Sequence, residues 1–500
     1  MAAATTMTKA STAVAMMSQR VCTGSGRVTV GTTRLGSADP PEGPRLHDIV
    51  IVGGGPGGYA SALYATNFGL SVALLDEERP GGTCLIRGCI PAKQWLYIAE
   101  VYSTVSHAAE FGVVTEQPTL DWEAALARKN QTVEGLVRGL GGLLQKKGVE
   151  VISGYGRIAG PGKVEVETEE GKQTVEGGAV ILASGSYART IPGYDFDGEK
   201  IVSSDHALDW PQRPKRVAII GGGVIGCEFA SFLVDLGAEV HVFEVMEQIL
   251  PGSDVDAAKQ LQRQLQKRGV KFHIGVGVEA PKVGETVVVP FGEESVEVDV
   301  VLVSVGRGPR TDDVGLDTVT ANLDNGFVVV DRNTMQTSQP GLYAVGDIVA
   351  GTPQLAHVGF AEGMAAVTHI ATGQSRGVNY QAIPRVTYTH PEVAEVGLTE
   401  AQAAERGLEI ETAKHAFNGI GRAIIIGDNQ GFAKVITEKG GPIVGAAVVG
   451  PQAGEMIHEL MYSVGWEALP DEAAAFIHAH PSLSEAVGET LLSAAGRSLH

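Results

Sequence analysis

Two cysteines, Cys84 and Cys89, are the residues of this chain whose type and spacing most clearly indicate chemistry. Two thiols this close together can form a disulfide that accepts two electrons and passes them on. The Cα atoms of a disulfide lie within about 7 Å of each other, whereas residues five apart do not share a face of a regular helix. We therefore expect a helix that starts irregularly here, at Gly88 and Pro91.

Two other interpretations of these thiols stay open. A zinc site needs further Cys or His ligands, and none is close in sequence. Inert, buried thiols would do no chemistry at all. The chain contains only 4 cysteines, too few for a secreted disulfide scaffold. We therefore expect a reducing compartment, where a close cysteine pair is more often catalytic than structural.

The cysteines follow a glycine-rich unit that is typical of dinucleotide binding. An apolar strand at residues 49–52 leads into Gly53, Gly55 and Gly58, and a helical stretch follows. The next strand ends at Asp76, where an acidic side chain can bind a ribose hydroxyl. This order of strand, glycine turn, helix and strand predicts a βαβ unit.

A second copy of this unit makes the interpretation specific. Residues 48–76 align with residues 216–244 at a constant offset and without a gap, which places Gly221, Gly223, Gly226 and Glu244 at the equivalent positions. In each copy the glycines allow the backbone to approach a pyrophosphate, and the helix N-terminus supplies unpaired N–H groups. Two dinucleotides are therefore expected.

The surroundings of each copy indicate which dinucleotide binds there. The first unit leads directly into the cysteines, so its cofactor should accept electrons from the dithiol, which predicts FAD. In the second unit, Glu244 is followed by Val245, Met246 and Glu247. No arginine is present there to pair with a 2′-phosphate, and the carboxylate would repel one, so NAD is expected rather than NADP.

The cysteine segment, G-G-T-C-L-I-R-G-C-I-P-A-K, resembles the first redox motif of the pyridine-nucleotide disulfide oxidoreductases, among which the dihydrolipoamide dehydrogenases fit best. The resemblance implies that Cys84 exchanges with substrate while Cys89 lies against the flavin. It also implies that Lys93 lies beside the flavin with Glu228 as its partner. Arg87 departs from the commoner form of the motif, and we expect this cation to lower the pKa of a nearby thiol.

Further motifs follow in family order. Residues 183–186 resemble the segment at which the chain leaves the flavin domain, and residues 341–347 resemble the second flavin motif. The resemblance implies that Asp347 binds the ribityl chain of FAD and that backbone N–H groups at Leu355, Ala356 and His357 face the flavin. The remaining expected cofactor-binding residues are Gly156, Ser186 and Gly306.

The C-terminal segment H-A-H-P-S-L-S-E resembles the family's acid/base motif, in which His480 is the base and Glu485 orients it. Only a thiolate attacks a disulfide, so a neutral imidazole must take the thiol proton, and a carboxylate favours the imidazolium that forms. The resemblance also implies a homodimer, because the family histidine reaches the disulfide of the other subunit.

The repeated glycine unit predicts an α/β protein with two Rossmann-like domains, for FAD and NAD, and the resemblance implies a C-terminal α+β dimerisation domain. The expected boundaries are residues 47–190 for the FAD domain, 191–310 for the NAD domain, 311–378 for a central domain completing the FAD site, and 379–500 for the dimerisation domain.

The resemblance implies oxidation of protein-bound dihydrolipoamide to lipoamide with reduction of NAD⁺. The partner would be a lipoyl-bearing protein of a 2-oxoacid dehydrogenase complex or of the glycine cleavage system. A mycothiol-disulfide or glutathione-type reductase is the alternative. A structural flavoprotein subunit is a further alternative, which the intact catalytic residues disfavour.

Bulk properties disfavour some other classes of partner. A formal charge of −20 over 500 residues disfavours nucleic acid and anionic membrane surfaces. No apolar run is long enough to span a bilayer, so we expect a soluble, cytoplasmic protein. Residues 1–46 are rich in Ala, Thr, Ser and Gly, which is compatible with a disordered extension, a start codon assigned too far upstream, or a mitochondrial or plastid transit peptide.

Overall fold

The first domain begins with a buried, nearly continuous apolar strand, as parallel sheets covered on both faces require. The computed structural model describes residues 47–499, so the predicted extension at residues 1–46 lies outside the described residues. The strands here are β1 His47–Val52, β2 Val72–Asp76, β3 Glu150–Ser153, β4 Tyr155–Ile158, β5 Lys163–Thr168, β6 Gly171–Leu182 and β7 Ser186–Ala188. The helices are α1 Pro56–Ala65, α2 Gly82–Arg87, α3 Cys89–Ser106 and α4 Trp122–Lys146.

The second domain repeats the βαβ start of the first. Its strands are β8 Ile201–Val202, β9 Arg216–Ile220, β10 Glu239–Glu244, β11 Lys271–Ile274, β12 Lys282–Val283, β13 Val287–Phe291, β14 Glu294–Val298, β15 Val300–Val303 and β16 Arg307–Pro309. Its helices are α5 Ser204–Ala207, α6 Val224–Asp235 and α7 Val255–Lys267. A parallel sheet runs in the order β11-β10-β9-β15-β8, and β16 pairs with β7 where the chain passes between the two domains.

The next segment returns to the first sheet. It contains β17 Leu323–Asp324, β18 Phe327–Val328, β19 Leu342–Ala344 and α8 Ala356–Thr372. Strand β19 pairs in parallel with β6, next to the run β3-β2-β1-β6. This pairing brings the end of β19 to the same sheet edge as the glycine turn after β1. The segment therefore shares the first domain's hydrophobic core.

The C-terminal domain is an antiparallel sheet covered by helices. Its strands, ordered β20-β21-β24-β23-β22 in the sheet, are β20 Arg385–Thr387, β21 Glu392–Gly397, β22 Ile410–Ala416, β23 Phe432–Glu438 and β24 Ile443–Gly450. Its helices are α9 Glu400–Glu405, α10 Gly421–Ile425, α11 Ala453–Gly465, α12 Pro470–Ala473 and α13 Glu485–Ala494. Short 3₁₀ turns occur at Thr66–Phe68, Ala108–Phe111, Leu316–Thr318, Tyr380–Ala382 and Phe417–Gly419.

The architecture is the predicted one: two Rossmann-like domains and a C-terminal α+β domain. Within residues 47–499, no helix is both long and apolar enough to cross a membrane. The domain boundaries given above remain predictions.

Candidate active site

The first glycine turn is shaped to leave room for a ligand. Gly53 has a φ of +106°, and a Cβ there would lie 2.2 Å from the Ala183 carbonyl oxygen. Helix α1 begins immediately after Gly55, with no side chain capping its N-terminus and no acidic residue in its first turn. Its first N–H groups are therefore left to an anion, as a pyrophosphate site requires.

The second turn reproduces the first in detail. Gly221 has a φ of +105°, and a Cβ there would lie 2.5 Å from the Ser304 carbonyl oxygen. Helix α6 begins after Gly223, again without a side-chain cap. The repeat predicted from sequence is therefore a repeat of backbone geometry, and each turn fits the pyrophosphate of a dinucleotide.

The acidic residue of each unit is held by the glycine turn that precedes it. Asp76 accepts hydrogen bonds from the Gly54 N–H at 2.6 Å and the Glu78 N–H at 2.9 Å. Burial nevertheless raises the pKa of Asp76 above its ordinary value. In the second unit, Glu244 accepts equivalent hydrogen bonds from the Gly222 and Met246 N–H groups, each at 2.8 Å. Each carboxylate thus braces its loop at the expected ribose position.

A single cavity of about 1690 Å³ connects the two turns and the cysteines. It is lined by both predicted acids, Asp76 and Glu244, and by Cys84 and Cys89. The other predicted residues that line it are Gly53, Gly55, Lys93, Gly156, Ser186, Gly221, Gly223, Glu228, Gly306, Asp347, Leu355, Ala356 and His357.

Gly58 and Gly226 are not among the residues that line this cavity, and a cofactor contact at either one stays a prediction. A Cβ on Gly58 would lie 1.8 Å from the Gly53 carbonyl oxygen, and one on Gly226 would lie 2.0 Å from the Gly221 carbonyl oxygen. Their role is therefore to let each helix pack closely under its loop.

A third helix N-terminus faces the cavity. Helix α8 starts after Leu355 and also lacks a side-chain cap. Near it, Asp347 accepts a hydrogen bond from the Ser186 hydroxyl at 2.5 Å, and Arg307 Nε donates to the same hydroxyl oxygen at 2.7 Å. Three segments that are distant in sequence therefore meet at the predicted ribityl position.

Gly88 explains how the two cysteines meet. It interrupts the helix between α2, which carries Cys84, and α3, which starts at Cys89. A Cβ on Gly88 would lie 2.8 Å from the Thr83 carbonyl oxygen, so this break requires glycine. The expected irregularity is therefore present. Both cysteines are free thiols in the structure, the reduced form of the predicted pair.

The two thiols differ strongly in acidity. A hydrogen bond that Cys84 donates to Cys89, together with burial, raises the pKa of Cys84. The same hydrogen bond and the nearby Lys93 ammonium lower the pKa of Cys89, against the opposing effect of burial. Cys89 also opens helix α3, where the helix dipole favours a thiolate. These effects favour the thiolate form of Cys89 over that of Cys84.

The described residues offer no support for a zinc site. Between residues 47 and 499, no group of three or more His, Cys, Asp or Glu side chains is placed to hold a metal ion. The third cysteine in this part of the chain, Cys227, is fully buried, and burial raises the pKa of its thiol.

The predicted Lys93–Glu228 pair is present. Lys93 Nζ lies 2.8 Å from one carboxylate oxygen of Glu228 and 2.9 Å from the other. Glu228 is only 4% exposed, so a helix-surface role is excluded. Burial opposes the charge on Lys93, but Glu228 outweighs this and raises the pKa of Lys93 above its ordinary value.

Arg87 does not fulfil the expectation that it lowers a thiol pKa. Its guanidinium pairs with Glu78 at the edge of the cavity. The cation that lowers the pKa of Cys89 is instead Lys93.

His480 and Glu485 make the predicted contact. His480 Nδ1 lies 2.8 Å from a Glu485 carboxylate oxygen, and the Ser482 N–H donates to the other oxygen at 2.8 Å. Burial opposes this charge, but the two contacts lower the pKa of Glu485. The His480 side chain is 79% exposed and does not line the cavity of its own chain.

Two regions of this chain match the sequence profiles of known protein families. Residues 47–363 match the profile described as pyridine nucleotide-disulphide oxidoreductase, and residues 383–491 match its dimerisation domain. The chain belongs to the pyridine nucleotide-disulphide oxidoreductase family.

Curated members of this family are similar over nearly the whole chain. A dihydrolipoyl dehydrogenase of Bacillus subtilis is 37% identical, covering 91% of this chain and 99% of the relative. A mitochondrial dihydrolipoyl dehydrogenase of Pisum sativum is 38% identical, covering 91% of this chain and 92% of the relative. The crystal structure of LpdA from Mycobacterium tuberculosis has a TM-score of 0.83 at 27% identity, covering 89% of this chain and 99% of that one.

Sequence reasoning missed three residues of this family site. Arg307 bonds Ser186, Tyr388 contacts Lys93, and the fully buried Glu362 accepts a 2.6 Å hydrogen bond from the Gly346 N–H beside Asp347. The contacts of the first two join positions far apart in sequence. Nothing in the sequence around Glu362 indicated that it would be buried.

Proposed function

We propose that this protein is a dihydrolipoyl dehydrogenase, which oxidises protein-bound dihydrolipoamide with NAD⁺. The observation that carries the proposal is the single cavity in which two dinucleotide turns meet an asymmetric pair of thiols. The similarity to curated dihydrolipoyl dehydrogenases over 91% of the chain supports the choice of substrate.

The residues present fit both cofactors. FAD would be held by the turn at Gly53 and Gly55, by Asp76, by Asp347 and by the N-terminus of α8. NAD would be held by the turn at Gly221 and Gly223 and by Glu244. When bound, FAD takes two electrons from the dithiol and supplies them to NAD⁺.

The remaining chemistry belongs to the side chains. His480 removes the proton from one substrate thiol, and the resulting thiolate attacks Cys84 of the oxidised pair. The Cys84–Cys89 bond breaks, a substrate–Cys84 disulfide forms, and Cys89 leaves as a thiolate that Lys93 and the α3 N-terminus stabilise. The second substrate thiol then attacks the sulfur bonded to Cys84 and closes the lipoamide disulfide; the substrate–Cys84 bond breaks, and the proton of this second thiol passes to the departing Cys84 sulfur.

Serine substitutions test the roles of the cysteines. Cys84→Ser and Cys89→Ser should each abolish NAD⁺ reduction by dihydrolipoamide while FAD stays bound. Cys227→Ser is the matched control, because Cys227 is buried outside the cavity, and it should remain active. Turnover by either of the first two variants would contradict the proposed mechanism.

We infer that the active unit is a homodimer in which His480 of the partner subunit serves Cys84. The dimerisation-domain match and the exposure of His480 support this inference. Mixed dimers of Cys84→Ser and His480→Gln subunits test it. If His480 acts across the interface, one site of each mixed dimer is intact and activity returns. If it acts within its own chain, mixed dimers stay inactive.

The substrate arm would come from a lipoyl-bearing protein of a 2-oxoacid dehydrogenase complex or of the glycine cleavage system. Another FAD-dependent disulfide reductase, such as a mycothiol-disulfide or glutathione-type enzyme, is the second candidate. One structural neighbour is a flavoprotein disulfide reductase, RclA of Escherichia coli, with a TM-score of 0.80 at 25% identity. We place the protein in the cytoplasm, or in mitochondria or plastids if residues 1–46 are a transit peptide.

A further inference from the structure

Three domains meet beside Cys89. Lys93 comes from α3 of the first domain, Glu228 from α6 of the second, and Tyr388 from the turn after β20 in the C-terminal domain. Tyr388 was not among the site residues predicted from the sequence. Its position gives it contact with both members of the ion pair.

Tyr388 holds the ion pair in two ways. Its ring lies under the Lys93 ammonium, with Nζ 4.6 Å from the ring centroid. Its backbone N–H donates to the Glu228 carboxylate at 3.0 Å. The ammonium is therefore fixed by the carboxylate on one side and by an aromatic face on another.

Lys93 is also placed to act on the thiols. Cys89 and Lys93 are four residues apart on α3, so their side chains share one face of the helix. Both residues line the cavity, as does Tyr388. Because the Tyr388 ring limits the movement of the Lys93 ammonium, it also fixes the positive charge next to Cys89.

We infer that Tyr388 is a positioning residue for the redox pair, whose ring face and backbone N–H hold the Lys93–Glu228 ion pair beside Cys89. The inference deepens the proposed function and rests on it for the role of Cys89. Loss of the ring frees the ammonium to move toward water. The Cys89 thiolate then loses stabilisation, and its pKa rises.

The test is the pH dependence of Cys89 alkylation by iodoacetamide in the full-length, FAD-loaded protein, reduced under anaerobic conditions and resolved by mass spectrometry. The wild type is compared with Tyr388→Leu and Tyr388→Gln, which remove the ring, and with Tyr388→Phe, which keeps it. Lys93→Met provides the background for a double-mutant cycle. Alkylation needs no lipoamide turnover, so the two ideas fail separately. Tyr388 can prove to have no effect on Cys89 in an active dihydrolipoyl dehydrogenase, and Tyr388 can position the pair in a protein that acts on another substrate.

The ring-less variants should move the alkylation midpoint upward by ~0.5 pH unit, and Tyr388→Phe should restore the wild-type midpoint. In the Lys93→Met background, removal of the ring should have no further effect. An unchanged midpoint in both ring-less variants would overturn the inference. So would an equal shift with and without Lys93, because the ring would then act independently of the ammonium.

Discussion

Replacing the glycine beneath a nucleotide turn, Gly58 or Gly226, should weaken binding of the cofactor at that turn, and the size of the clash follows from the structure. In Gly58→Ala the new Cβ would lie 1.8 Å from the Gly53 carbonyl oxygen, whereas real Cβ atoms do not approach closer than 3.0 Å. Helix α1 and the turn must therefore separate by more than 1 Å, and both are backbone that cannot rotate away. Overpacking of this kind costs about 1–3 kcal/mol, which weakens FAD binding about 5- to 150-fold.

The repeat supplies its own internal comparison. Gly226→Ala creates the same clash in the second turn, 2.0 Å from the Gly221 carbonyl oxygen. It should weaken NAD binding by a similar factor and leave FAD in place. Gly135→Ala, at an exposed position of helix α4, meets nothing within 4 Å and should stabilise the protein by up to about 1 kcal/mol.

The assay measures two quantities for each variant: free flavin released after gel filtration, by fluorescence, and the NAD dissociation constant, by titration calorimetry. Flavin loss should be confined to Gly58→Ala and NAD weakening to Gly226→Ala. If Gly58→Ala retained FAD with unchanged affinity, or if Gly226→Ala released FAD, the assignment of the two turns would be refuted.

Two further predictions concern proton-carrying groups. Glu485→Gln, which removes the charge that His480 contacts, should lower dihydrolipoamide turnover ~10²-fold without loss of FAD, and unchanged steady-state turnover would count against the His480–Glu485 pair. Burial raises the pKa of Glu362 from 4.5 to about 7, so its stabilising contribution is complete below pH 4.5 and is lost as the pH rises through 7. In the wild type, the unfolding free energy should therefore fall between pH 5 and pH 8.5, and Glu362→Gln should remove ~3 kcal/mol of that fall, measured by urea denaturation. The exposed control Glu405→Gln should leave the fall unchanged. A Glu362→Gln variant with the same pH dependence as the wild type would contradict this prediction.

Local and repeated signals in the sequence were sufficient for much of the site. Gly53 and Gly221 could be predicted because each must adopt a positive φ, which favours glycine. The Cys84–Cys89 spacing required a helix break, and Gly88 provides it. These features depend on residues that lie close together in the chain.

Features that depend on long-range contacts were missed or misjudged. Arg87 was expected to act on a thiol because it is near in sequence, but Glu78 engages it. Tyr388 meets Lys93 only after the C-terminal hairpin of β20 and β21 packs against the first two domains. Spacing and residue type alone do not specify such contacts.

Initial rates of NAD⁺ reduction by dihydrolipoamide test the central claim most directly. They should be compared with NADP⁺ reduction by the same substrate and with NADPH-driven reduction of low-molecular-weight disulfides. The account predicts fast turnover with dihydrolipoamide and NAD⁺, and slow turnover with NADP⁺, because Glu244 opposes a 2′-phosphate. An FAD-loaded protein that is inactive with dihydrolipoamide but reduces another disulfide would contradict the assigned substrate.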